Sequence, residues 1–226
     1  MKLTYYGHST FLIHTGGKSL VFDPFISPNP LAAAYKINDI KADYILLSHG
    51  HGDHVADAES IAKDNDATIV SNYEIVSWYE SKGIKGHPMN HGGKWKFDFG
   101  TVKYVNAVHS SVLPDGTYGG NPGGFVVWNE EKCFYFAGDS ALTWDMKLIP
   151  MICPQLDFAI LPIGDNFTMG FADAVHAAQF IQCDKIIACH FDTFGYIKTD
   201  HQAAIDEFRN AGKELILLQP GQTIEL

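Results

Sequence analysis

Hydrophobic positions change period along this chain, and the changes divide it into short strands and a few amphipathic helices. Alternation of period two covers residues 2–6, 10–14 and 19–22, with Gly16-Gly17 as the tight turn of a meander. Residues 24–39 hold Pro24, Pro28 and Pro30 and read as a long loop with one helical turn at 31–35. The apolar run 44–47 predicts a strand, 55–64 a helix, 67–71 a strand and 72–82 a second helix stopped by Gly83. Residues 84–93 read as a turn region carrying His87 and His91. Strands follow at 94–99 and 101–108, turning about Gly100. Five glycines and two prolines make 110–124 loop; 125–128 and 133–136 form a further hairpin, and 142–149 a helix. A strand at 158–163 leads into loop 164–168. Phe171, Ala174, Val175, Ala178 and Ile181 then give a helix one buried face. A buried strand at 185–189 ends at His190, Thr199-Asp200-His201-Gln202 fits a capping box for a helix running to Gly212, and strands at 215–218 and 221–226 close the sheet. Strand alternating with helix throughout predicts an α/β fold, and 1–226 reads as a single domain.

Composition narrows the function. With 26 acidic against 16 basic residues the net charge is −10, which argues against nucleic acid as partner. No run of about 18 apolar residues is present to span a membrane. No apolar leader follows Lys2, so a cytoplasmic protein acting on a small molecule is expected, with homo-oligomerisation left open. Cys133, Cys153, Cys183 and Cys189 show no CxxC spacing and read as reduced, buried thiols.

The chemistry concentrates in His49-Gly50-His51-Gly52-Asp53-His54, directly after the 44–47 strand. Imidazole and carboxylate donors suit zinc, manganese, iron or nickel. Gly50 and Gly52 are expected to permit backbone conformations that turn all four groups inward. Neighbours this dense cannot all serve one tetrahedral ion. Two ions are therefore expected, with His49 and His51 on one and Asp53 and His54 on the other. His109, Asp139 and His190 also stand at ends of predicted strands, the edge where α/β folds collect ligands. Seven donors match what a pair of ions ~3.5–4 Å apart requires, and by elimination Asp139 is the bridging carboxylate.

His-x-His-x-Asp-His, a later His, Gly138-Asp139 at a strand end and a final His together resemble the metallo-β-lactamase superfamily over essentially the whole chain. Gly7-His8-Ser9, Asp23-Pro24-Phe25 and His190-Phe191-Asp192-Thr193-Phe194 are similar to the branch holding ascorbate-6-phosphate lactonases and related metal-dependent hydrolases. The resemblance implies a four-layer αββα sandwich. It implies two divalent ions, zinc foremost with manganese, nickel or iron as alternatives. His49, His51 and His109 would hold the first ion and Asp53, His54 and His190 the second, with Asp139 bridging. It further implies that His8 lies near the metals or touches substrate and that Asp23 supports a ligand histidine.

The expected activity is hydrolysis of a small cytosolic lactone, ester or phosphodiester by a metal-bridging hydroxide, with Asp53 orienting its proton. Loops 116–124 and 164–169 are expected to shape the pocket above. Two rivals are a di-iron oxidoreductase on the same fold and a non-catalytic metal-binding module. The first resembles a His-x-Glu-x-Asp-His pattern, where this chain has His51 at the glutamate place; the second would have lost ligands, and none is missing. His14, His87, His91, His176 and His201 are not recruited to the metals, and Cys189 is expected to point away from them.

Overall fold

The computed structural model describes residues 1–226. Its first half runs β1 (Lys2–Gly7), β2 (Thr10–Thr15), β3 (Lys18–Phe22), β4 (Tyr44–Leu46), α1 (Gly52–Val55), α2 (Ala58–Asn65), β5 (Thr68–Asn72), α3 (Tyr73–Glu80) and β6 (Gly86–Met89). The second runs β7 (Lys94–Phe97), β8 (Gly100–Asn106), β9 (Gly123–Trp128), β10 (Cys133–Phe136), α4 (Ile149–Ile152), β11 (Phe158–Pro162), α5 (Phe171–Phe180), β12 (Lys185–Cys189), α6 (His201–Asn210), β13 (Glu214–Ile216) and β14 (Thr223–Glu225).

Two seven-stranded sheets result, in the orders β14–β1–β2–β3–β4–β5–β6 and β13–β12–β11–β10–β9–β8–β7. Their inner faces meet in a core holding Phe11, Phe22, Phe125, Phe134 and Phe136. Outside the first sheet, α2 and α3 bury Ile61, Ala62, Ile75, Val76 and Tyr79. Outside the second, α5 and α6 bury Ala174, Ala178 and Phe208. That is the expected αββα layering. Strands such as β10 and β11 are buried at every position because both their faces are covered. No helix is long and apolar enough to cross a membrane.

Several expectations need correction. Residues 84–93, read as a turn region, contain β6, which pairs in parallel with β5. Pro88 is tolerated there because β6 is an edge strand. The helix expected at 55–64 is two helices, the first beginning inside the histidine cluster. The one at 142–149 is a 3-10 turn over Trp144–Leu148 followed by α4. The capping box is displaced by one residue, since the Asp200 carboxylate accepts from Ala203 N at 3.0 Å. The last two strands do not close one sheet: β13 joins β12 and β14 joins β1.

Candidate metal centre

The parallel strands β3, β4 and β5, and likewise β10, β11 and β12, end at one edge of their sheets, and the polar cluster lies there. Asp23, directly after β3, is wholly buried. It accepts from Ser48 N at 2.8 Å, Ser48 Oγ at 2.6 Å and His54 Nδ1 at 2.8 Å. Burial pushes this carboxyl up, but three donors converge on it, so the proton belongs on His54 Nδ1. Because Ser48 Oγ donates to Asp23, it accepts from His49 Nδ1 at 2.9 Å. One aspartate therefore fixes two imidazoles with their Nε2 lone pairs facing the centre. These tautomers follow from the hydrogen-bond network.

At that centre Asp139 Oδ2 lies 3.0 Å from His190 Nε2, 3.3 Å from His54 Nε2, 3.6 Å from His109 Nε2 and 4.0 Å from His49 Nε2. His49, His51 and His109 each present a ring nitrogen within 4.8 Å of the others. The same holds for His8, Asp53, His54 and His190, a group larger than the expected trio by His8. Burial and its histidine neighbours keep His49 well below the ordinary imidazole range, and burial lowers His51 and His109 too. Burial pushes Asp139 up, but His190 and His54 outweigh it and hold the carboxyl well below its usual range.

The donor set fits bound cations. His54 Nε2, Asp139 Oδ1 and His190 Nδ1 are buried without a hydrogen-bond partner. Burial lowers His54, but Asp139, Asp53 and Asp23 outweigh it and push the imidazole well above its ordinary range, so the position calls for positive charge, which a bound cation would supply in place of a proton on Nε2. Neutral imidazoles and ionised carboxylates are the states in which these groups bind divalent metal.

His8 and His190 both adopt left-handed backbone, φ 55° and 54°, which is costly for residues with a Cβ. The strain is shared across the join between the sheets, where His190 N donates to His8 O at 2.8 Å. Burial pushes the His8 imidazole down to about 4, so it carries one ring proton. Placing that proton on Nε2 lets it donate to Asp53 Oδ2 at 3.1 Å, while Nδ1 accepts from Thr193 Oγ1 at 2.9 Å. Burial raises Asp53, but His54 and His8 overcome that and keep it ionised.

The glycine expectation fails for Gly52 and has a different basis, space and not backbone conformation, at Gly50. Neither Gly50 nor Gly52 has positive φ. A Cβ on Gly50 would lie 3.1 Å from the Val112 backbone, whereas one on Gly52 would meet nothing. A pocket of ≈ 780 Å³ opens over the cluster. Loop 164–169 contributes Phe167 to it, as expected. Loop 116–124 contributes no wall; it packs on Asn72, whose Nδ2 donates to Gly119 O at 2.7 Å, and on Ser48 O through Gly123 N.

Ser110, Thr193, Phe194 and Tyr196 also line the pocket; Thr193 and Phe194 stand in the motif that carried the resemblance but were given no role, and Ser110 and Tyr196 were not singled out. Their signal was position, just after a ligand histidine at a strand end. His91 stacks on Tyr104 and His87 packs on Trp95 and Phe97, away from the centre. Cys189 is buried in the core between the sheets. His201 proves useful: its Nε2 meets Asp192 Oδ2 at 2.6 Å, and Asp192 Oδ1 accepts from Thr199 N at 3.1 Å, pinning the base of the loop that carries Thr193, Phe194 and Tyr196.

A family model described as the β-lactamase superfamily domain matches residues 2–190. A UPF0173 metal-dependent hydrolase of Flavobacterium johnsoniae is 62% identical over 226 residues, covering 100% of both chains. A namesake from Christiangramia forsetii is 59% identical over 227 residues with the same coverage. Among solved structures, a metallo hydrolase of the hyperthermophilic archaeon Ignicoccus hospitalis matches with TM-score 0.89 and 31% identity, over 99% of this chain and 97% of that one.

Proposed function

The chain belongs to the β-lactamase superfamily and is a metal-dependent hydrolase of its metallo-β-lactamase fold, and from that premise we propose a two-cation site acting on a small cytosolic lactone, ester or phosphodiester. His49, His51 and His109 would hold one cation and Asp53, His54 and His190 the other, with Asp139 shared. The observation that carries this reading is Asp139 Oδ2, ringed by imidazole nitrogens from both groups at 3.0–4.0 Å. Zinc suits the donors best, with manganese, iron and nickel also compatible. When bound, such a pair supplies Lewis acidity, bringing a shared water's pKa from ~15.7 toward 7 and offsetting charge on the departing oxygen.

The chain's own residues supply the rest. Asp23 keeps the His49 and His54 protons on the side away from the centre. His8 holds one oxygen of Asp53, leaving the other free to take or orient a proton at the pocket floor.

The test is reconstitution with zinc or manganese, metal counting by mass spectrometry, and turnover of a panel of p-nitrophenyl phosphodiester, lactone, thioester and cephalosporin. About two equivalents per chain and turnover of at least one oxygen ester or lactone are expected. A single tight equivalent, or an inert holoenzyme, would refute the proposal.

A further inference from the structure

We infer that the part of the substrate remote from the scissile bond is uncharged and apolar, a flat group on a small ester or lactone and not a phosphorylated or carboxylated one. The inference rests on the hydrolytic reading above and specifies what the site accepts.

Polarity within the pocket is sharply divided. Its floor is the histidine–aspartate cluster, and its upper wall is Phe167, Phe194 and Tyr196. Phe194 is wedged against His8 and Phe25, with ring centroids 5.3 and 6.2 Å away. Phe167 and Tyr196 come from two different loops, after β11 and after β12, and meet edge to face at 6.2 Å and 81°. They remain 48% and 80% exposed. Two large aromatics that touch each other at a cavity mouth and stay wet have a surface left to cover, and a bound flat group would cover it.

Charge makes the same distinction. The chain has 16 lysines and arginines, and none lines the pocket. The one carried by the pocket loop's far end, Lys198, donates to Asp192 O at 3.1 Å. Bound cations would attract negative charge at the floor, where the bond breaks. A second anionic group further out would lie against three aromatic faces with no cationic side chain to meet it, on a protein of net charge −10. The neutral polar handles are the Ser110 and Thr193 hydroxyls. The net reaction adds one water: its oxygen bonds to the carbonyl carbon, the ester C–O bond breaks, and the departing oxygen takes a proton.

The test uses the zinc- or manganese-loaded protein and two lactones of similar size, γ-phenyl-γ-butyrolactone and 6-phosphogluconolactone. Alongside, calorimetry measures binding of an inert lactam, 5-phenyl-2-pyrrolidinone, and of its ring-carboxylated analogue. The neutral lactone should turn over with kcat/KM at least about tenfold higher, and the neutral lactam should bind more tightly by a similar factor. Phe167→Ala and Tyr196→Ala should each weaken the neutral ligand about two- to tenfold, through KM, with the melting temperature unmoved. Tyr196→Lys should narrow the gap toward the phosphorylated lactone. Equal or better use of the charged lactone, or alanine variants with unchanged KM and lactam affinity, would overturn the inference and leave the hydrolytic reading standing. If neither lactone turns over, that reading suffers, and the lactam pair still decides what the pocket accepts: preference for the neutral form supports the inference, and preference for the carboxylate overturns it.

Discussion

Asp23→Asn alters a single atom of a wholly buried side chain and should weaken metal binding without touching a proposed ligand. Asp23 sits at φ 40°, a conformation asparagine tolerates, so the backbone is not perturbed. Its Oδ1 accepts from Ser48 N, and its Oδ2 from Ser48 Oγ and His54 Nδ1. An amide can be placed there in two ways. With its NH2 toward Ser48 N, two N–H donors face each other in a dry site, which costs about 1–3 kcal/mol. With its NH2 toward Ser48 Oγ and His54, both partners must become acceptors. His54 then carries its proton on Nε2. Ser48 Oγ must donate to His49 Nδ1, so His49 does the same.

Either way the variant loses stability or puts protons on the two nitrogens that face the centre. Losing such a supporting contact typically costs 10–100-fold in metal affinity, which is about 1.4–2.7 kcal/mol. Titrating zinc into the apo-protein against a chromophoric chelator measures the affinity. Urea unfolding of the apo-protein should show the ~1–3 kcal/mol loss. Nitrogen NMR of the imidazoles should show the proton moved to Nε2 in the fraction with the flipped amide. Zinc affinity within about twofold of the parent at both sites, together with an unchanged urea midpoint, would refute the argument.

Other perturbations separate the proposed ligands from their scaffolding. Asp53→Ala should abolish turnover while leaving the fold intact, because the side chain is partly exposed; His54→Ala should abolish it too and, by taking one of three donors from buried Asp23, should also lower the urea midpoint. Full activity in either would discredit the site. Asp192→Ala releases His201 and Thr199 N from the base of the pocket loop, so KM should rise several-fold and limited proteolysis should cut between 192 and 199, with metal content unchanged. Gly164→Ala would bring a Cβ to 2.0 Å from His190 O and 3.0 Å from Ile197 Cβ; a stability loss of at least about 2–3 kcal/mol in urea is expected, and a neutral variant would contradict the packing.

How much of this was legible in the sequence depends on whether a feature is local. Strands buried on both faces, such as β11 with Phe158–Pro162, announce themselves as apolar runs, and the histidine cluster announces itself by density. β6 did not, because Gly86-His87-Pro88-Met89 has no strand propensity; parallel pairing with β5 decides it. The swap of β13 and β14 into opposite sheets lies in the tertiary connection and leaves no mark on either segment. Of the seven expected metal ligands, His49, His109, Asp139 and His190 converge because each follows a strand, a positional signal that survives without neighbours in sequence, and His51, Asp53 and His54 arrive with His49. Loop 164–169 was expected at the pocket and Phe194 stood in a motif of the resemblance, but the wall these form with Tyr196 was not foreseen, because all three are ordinary loop residues until two loops meet.

The reason distant histidines converge can be taken one step further. In the order β14–β1–β2–β3–β4–β5–β6 the successive pairings are antiparallel three times and then parallel three times. The order β7–β8–β9–β10–β11–β12–β13 repeats that series. β1 therefore corresponds to β8 and β3 to β10, although no sequence repeat is visible. A histidine follows the second strand of each series, His8 after β1 and His109 after β8, and a buried aspartate follows the fourth, Asp23 after β3 and Asp139 after β10. The same topological position has two uses. Asp23 is saturated by Ser48 and His54 and works behind the site, whereas Asp139 keeps Oδ1 unpartnered and turns Oδ2 into the ring of imidazoles. What separates the roles is where the nearby hydroxyl donates: Ser48 Oγ donates to Asp23 Oδ2, whereas Ser140 Oγ, next to Asp139, donates to Ala141 O instead. Giving Asp139 a saturating donor should convert a proposed ligand into a second support and empty the centre of its shared carboxylate.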